Sequence, residues 1–256
     1  MAGFFANGNQ LLPSTPPYAV RIFNIPAISV RDEQGNINKA CPNICVEAPE
    51  ICKEICYAYR RQKGREKIVY GGREKNYWAT RCDDFVDKVQ KQIQGTIQYY
   101  MNRVKDIQII YRIHESGDFY SVDYLQKWVT IANHFQDQKH VHFMAYTKSI
   151  EILNQFLEKN NISLQDINIK FMYSVMRIQN YDGKVYKSTL EQPRKMKIAK
   201  ALRKQGLRYY TVYEKEDDLP QETETLKICR LHEGRTCNEC GMKCYLDDCD
   251  IAAVAR

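Results

Sequence analysis

Ile107-Gln-Ile-Ile-Tyr-Arg-Ile113 runs directly into His114-Glu-Ser-Gly-Asp118, after which Tyr124, Leu125, Trp128, Ile131 and Ala132 recur at helical spacing. A β-branched run, a polar loop and an amphipathic helix read as one strand–loop–helix unit. The unit recurs downstream. Val141-His-Phe-Met-Ala-Tyr146 is a strand, Thr147-Lys-Ser149 a capping turn, and 150–159 a helix; 167–175, 193–204 and 207–213 continue as strand, helix and strand. Strands alternating with helices of ten or more residues predict parallel pairing with right-handed crossovers. The fold class expected is α/β, a partial (β/α) barrel with mostly parallel strands and a cysteine-rich C-terminal extension. The division expected is 1–220 for the barrel and 221–256 for the extension.

Working towards the N-terminus, 76–104 is rich in helix formers and predicts one or two helices, with Cys82 as a core thiol. Residues 8–26 hold Pro13, Pro16, Pro17 and Pro26 and read as an extended lead-in on the surface, and Ala27-Ile-Ser-Val30 reads as the opening strand of the sheet.

Nine of the ten cysteines fall into two groups, Cys41, Cys45, Cys52 and Cys56 near one end and Cys229, Cys237, Cys240, Cys244 and Cys249 near the other. Thiolates at gaps of two to seven residues can converge on one metal centre. A disulfide framework suits short secreted chains that lack a core, whereas this chain has 256 residues of which 44% are hydrophobic. With no basic leader before an apolar run and no stretch of 18 apolar residues, a cytoplasmic protein without a membrane partner is expected. The net charge of +7 permits a nucleic-acid partner without demanding one.

In parallel α/β folds chemistry collects at the C-terminal ends of the strands. The residues expected there are His114 to Asp118, then Tyr146, Thr147 and Lys148, then Ser174 and Arg177, with Asp118 and Thr147 alternatively capping helices. The gaps of the first cysteine group suit iron–sulfur ligation better than a zinc ribbon. For Cys229, Cys237, Cys240 and Cys244, a [4Fe-4S] cluster and zinc both fit, with Cys249 spare.

The strings Cys41-Pro, Cys52-x3-Cys56-Tyr-Ala58, Glu115-Ser-Gly-Asp-Phe-Tyr-Ser121, Phe143-Met-Ala-Tyr-Thr-Lys148 and Cys237-x2-Cys240-x3-Cys244 together resemble the bacteriophage gene product 88 family. More distantly they are similar to phage proteins related to spore photoproduct lyase, and so to radical S-adenosylmethionine enzymes. That resemblance implies a [4Fe-4S] cluster on Cys45, Cys52 and Cys56 with one iron open to S-adenosylmethionine. It also implies a cofactor cradle at Ser116, Gly117, Asp118 and Ser174, with Tyr146, Lys148 and Arg177 facing an unknown substrate. The chain departs from the usual C-x3-C-x2-C spacing, and Cys41 supplies a spare sulfur that would close the open iron. The alternative reading is a non-catalytic metalloprotein that binds nucleic acid or a host protein.

Overall fold

The computed structural model describes residues 3–8, 12, 14–30, 43–63 and 67–255, with side chains described except at 61–63, 67–70 and 231–232. The elements run β1 (Phe5–Asn7), β2 (Tyr18–Phe23), α1 (Glu50–Glu54), α2 (Tyr57–Lys63), α3 (Lys67–Thr80), α4 (Phe85–Met101), β3 (Gln108–Ile113) and α5 (Val122–His134). They continue as β4 (Val141–Thr147), α6 (Ile150–Asn160), β5 (Lys170–Met176), a small hairpin of β6 (Asn180–Tyr181) and β7 (Lys184–Val185), and α7 (Pro193–Arg203). The chain closes with β8 (Arg208–Tyr213), β9 (Leu226–Cys229), α8 (Lys243–Leu246) and β10 (Asp250–Val254).

One eight-stranded sheet, in the order β1-β2-β3-β4-β5-β8-β10-β9, carries the fold. Every pairing in it is parallel except the short antiparallel β1 on β2. The fold is therefore α/β with a mostly parallel sheet, and that sheet is open, with β1 and β9 as its edges. The order follows the chain from β1 to β8, and α4, α5, α6 and α7 pack side by side over the same face.

Alternation along each strand explains the two layers. Ile109, Tyr111 and Ile113 of β3, Phe143 and Ala145 of β4, and Phe171, Tyr173 and Val175 of β5 face the helices and join Trp128, Phe156 and Leu202 in the main core. Val20, Ile22, Ile110, Met144 and Met172 face the other way, where Met242, Tyr245, Cys249 and Ile251 from the C-terminal segment cover them. That segment is integral to the sheet, because β10 inserts between β8 and β9.

Three expectations change. The first parallel strand is Tyr18–Phe23, inside the stretch read as a surface lead-in, and 27–30 forms no strand. Pro16 and Pro17 precede the ladder and Pro26 follows it, so the prolines bracket the strand instead of interrupting it, and Ala19, Val20, Ile22 and Phe23 are buried. Cys82 is exposed, because α3 ends at Thr80 and leaves the thiol in the following turn. Among the described residues no helix is long and apolar enough to cross a membrane.

Candidate metal and ligand site

The first cysteine loop sits at the C-terminal end of β5. Ile51 of α1 packs with Met176 and Ile178, and Cys52 and Ile55 join that cluster. The loop is anchored before it as well, where buried Ile44 donates its backbone N–H to Ile28 O at 3.1 Å. Burial pushes the Cys45 thiol well up, and the neighbouring Asp118 carboxylate and the Cys52 and Cys56 sulfurs push it further. Burial also raises Cys56, with Cys52 adding to it, while the Tyr59 backbone N–H at 3.4 Å and, more weakly, Lys148 act the other way. Cys45 and Cys56 thus both have the Cys52 sulfur beside them. Cys41 lies outside the described residues.

The loop after β3 stands beside these thiols. Asp118 is buried, and both of its oxygens are engaged: Oδ1 accepts from Phe119 N at 2.8 Å and Thr147 Oγ1 at 2.7 Å, and Oδ2 from Lys148 N at 2.8 Å. The cap of α5 is Ser121, whose Oγ accepts from Tyr124 N. Gly117 has φ +84°, and a Cβ there would lie 2.3 Å from Ile25 Cγ1 and 3.1 Å from Pro26 O. Asn24 Oδ1 latches the same loop by accepting from Glu115 N and Ser116 N. Ser116 Oγ is buried with no hydrogen-bond partner among the described residues. Lys148 Nζ donates to Ser174 Oγ at 2.7 Å, which brings the expected residues of β4 and β5 together.

The second thiol group lies on the sheet face opposite the helices. Burial pushes Cys244 well up, as do Cys237, Cys229 and Cys240, against a hydrogen bond with Tyr146. Cys237 is raised to about 12 by burial and by Cys240 and Cys229, with Arg112 opposing. Cys249 instead has Lys170, Asp247, Lys227 and Asp250 around it. Cys229 and Cys240 thus stand beside both Cys237 and Cys244. Gly241 (φ 73°) and Met242 (φ 57°) turn the chain sharply between the last two, and Met242 is fully buried.

Arg112 was not singled out from the sequence. Its guanidinium lies 5.1 Å from the Tyr146 ring centroid and donates to Tyr245 OH at 3.4 Å, leaving Nε without a partner. A charged residue in the apolar run Ile109-Ile-Tyr-Arg-Ile113 is the signal that marks it. Tyr146 also packs edge-on against Tyr210 at 4.8 Å. Arg177 sits apart, 5.0 Å from the Tyr213 ring centroid in a cavity of about 300 Å³ with Ser188, Glu191, Glu214 and Asp218.

Among the described residues no group of three or more His, Cys, Asp and Glu side chains is arranged to hold a metal ion. Zinc would draw four thiolates to one ion, whereas a polynuclear cluster would put each thiolate on its own iron.

The sequence profile described as "Gene product 88" matches residues 5–245. The chain belongs to the gene product 88 family. The Gene 88 protein of Mycobacterium phage D29 is 30% identical over 105 residues, which is 41% of this chain and 42% of that protein. The Gene 88 protein of Mycobacterium phage L5 is 30% identical over 109 residues, again 41% and 42%. The matched region thus spans about two fifths of these gene product 88 relatives. No solved structure matches the chain.

Proposed function

We propose that this gene product 88 protein is a cytoplasmic iron–sulfur protein with two thiolate-ligated centres. Cys45, Cys52 and Cys56, with Cys41 as a further donor, would hold a [4Fe-4S] cluster; Cys229, Cys237, Cys240 and Cys244 would hold a second cluster or zinc. The observation that carries the reading is the convergence of thiols in each group: burial raises Cys45 and Cys56 in the first and Cys237 and Cys244 in the second, with neighbouring sulfurs adding to each, so a bound cation would relieve both effects. The radical S-adenosylmethionine reading is the more specific form. Bound with one iron open, the cluster would supply one-electron reduction to that cofactor. Helices α4 to α7 lie on one face of the sheet, as in a partial barrel, which leaves the strand ends for a substrate. Lys148, held by Ser174, would present its ammonium there; Tyr146 would close the side towards the second centre, and Arg177 would offer a cation to an anionic substrate group.

A specific observation favours the non-catalytic alternative, a metalloprotein that binds nucleic acid. The space over Gly117 is filled by Ile25, both Asp118 oxygens are taken by Phe119, Thr147 and Lys148, and Ser174 Oγ is taken by Lys148 Nζ, which leaves the buried Ser116 Oγ as the one side-chain group of the cradle without a partner among the described residues. Anaerobic purification with iron, sulfide and zinc analysis tests the main reading. The Cys52→Ala/Cys56→Ala double variant should lose the metal of the first centre and keep that of the second, and unchanged metal content would refute it. Titrating the reduced protein with S-adenosylmethionine separates the two forms: release of 5′-deoxyadenosine supports the enzyme, and absence of both binding and cleavage supports the alternative.

A further inference from the structure

From Gln192 to Arg208 the chain contains no acidic residue, yet it carries Arg194, Lys195, Lys197, Lys200, Arg203, Lys204 and Arg208. The fold sorts these cations. Lys195 turns inward to donate to Glu47 O at 2.7 Å, Arg203 pairs with Asp250 at 2.5 Å, and Arg208 pairs with Asp248. Arg194, Lys197, Lys200 and Lys204 remain exposed at steps of three, three and four residues, which puts them on one helical face. Arg194 meets Glu151 at 3.2 Å, while Lys197, Lys200 and Lys204 form no ion pair among the described residues.

The helix dipole favours Lys200 and Lys204 at the C-terminal end of α7 but does not account for the other half of the stripe. Like charges three and four residues apart repel, and Arg194, Lys195 and Lys197 stand near the N-terminal end of α7, where the helix dipole disfavours cations and the first turn has no acid. The large apolar residues of α7 are spent inward: Leu202 is buried, and Met196 and Ile198 pack on the main core. The outer face therefore offers cations with no large apolar side chain between them, which suits a phosphate backbone and not insertion into a lipid surface. At 1.5 Å per residue the stripe covers about 15 Å, long enough to follow several phosphates of one strand.

The stripe also has a direction. Its first turn is tied by Lys195 to Glu47, in the segment between Cys45 and Cys52, and the Glu47 carboxylate accepts from Glu151 N at 2.9 Å and Ile152 N at 2.8 Å at the start of α6. We propose that the exposed face of α7 is a nucleic-acid track, on which Arg194, Lys197, Lys200 and Lys204 hold the phosphate backbone of a strand leading to the first cysteine loop. The proposal rests on nucleic acid being the partner in the reading above, not on the metal chemistry. Loss of metal with retained binding would therefore sink that reading alone.

Fluorescence anisotropy with labelled duplex and single-stranded DNA across a salt series, using the full chain purified anaerobically, tests it. Lys197→Glu/Lys200→Glu/Lys204→Glu should weaken duplex binding at least tenfold and make the log–log salt slope shallower by about 2.7, at roughly 0.9 per phosphate contact. The corresponding triple Gln variant, which removes charge while keeping good helix formers, should give the same direction with unchanged circular dichroism. Lys91→Glu/Lys105→Glu/Lys139→Glu, an equal charge change on other exposed lysines, should leave affinity within about threefold. Equal losses in both Glu triples, no binding by the parent chain, or binding to phosphatidylserine vesicles in place of DNA would each overturn the proposal.

Discussion

Gly117→Ala isolates the physical reason for a glycine in the loop that follows β3. At φ +84° an L-residue is in the left-handed region, and the added Cβ would meet Ile25 Cγ1 at 2.3 Å, Ile25 Cδ1 at 3.1 Å and Pro26 O at 3.1 Å. The backbone conformation costs about 1–2 kcal/mol and overpacking a further 1–3 kcal/mol, offset by about 0.4–1 kcal/mol from the stiffer unfolded chain. The net loss expected is about 1–4.6 kcal/mol, read as a lower urea midpoint at unchanged slope. Ile25 is fully buried, so Ile25→Ala alone should cost about 2–5 kcal/mol, but it removes the atoms the new methyl strikes. The double variant should therefore lose about 1–3 kcal/mol less than the sum of the singles, with the φ strain remaining. A glycine kept only so that a ligand can approach would behave differently, leaving the free protein's stability intact while ligand binding fell. An unchanged midpoint for Gly117→Ala, or strict additivity with Ile25→Ala, would refute the packing explanation.

Two further outcomes follow from single side chains. His114 Nε2 sits 2.7 Å from Tyr124 OH and burial lowers its pKa from 6.5 to about 3, so below about pH 6.5 the unfolded chain takes up a proton that the folded chain refuses. Stability should fall by about 1.4 kcal/mol per pH unit from about pH 6 to pH 4 on this account, and a His114→Leu variant with a parallel pH profile would count against it. Cys229→Ser should deplete the metal of the second centre, whereas Cys249→Ser should leave metal content unchanged, because Cys249 has charged residues, not thiols, around it; metal loss in Cys249→Ser alone would reverse the ligand assignment.

The elements legible from the sequence are those whose pattern is complete within about 15 residues. β3, β4, α5, α6 and α7 each carry their own periodicity and boundary signals, and they fall within a few residues of where those signals put them. β2 and β10 carry no such local statement. β2 is six residues between prolines and gains its meaning from β3, some 90 residues on; β10 is Asp-Ile-Ala-Ala-Val, whose place between β8 and β9 is set by pairing alone. The site divides the same way. Cysteine spacing predicts which thiols share a neighbourhood; in the structure Cys52 stands beside Cys45 and Cys56, and Cys229 and Cys240 stand beside Cys237 and Cys244.

What spacing does not contain is how a polar side chain spends its hydrogen bonds. Asp118, expected either to cap α5 or to hold a ligand, instead ties the loop after β3 to the loop after β4 through Thr147 Oγ1 and Lys148 N. The backbone amide of Lys148 is thereby fixed while its ammonium reaches Ser174, so three adjacent strand ends are braced by one carboxylate and one amine. Such bracing holds the mouth in a single geometry before anything enters it, which is the condition under which thiols presented by a separate loop can be met by fixed polar partners.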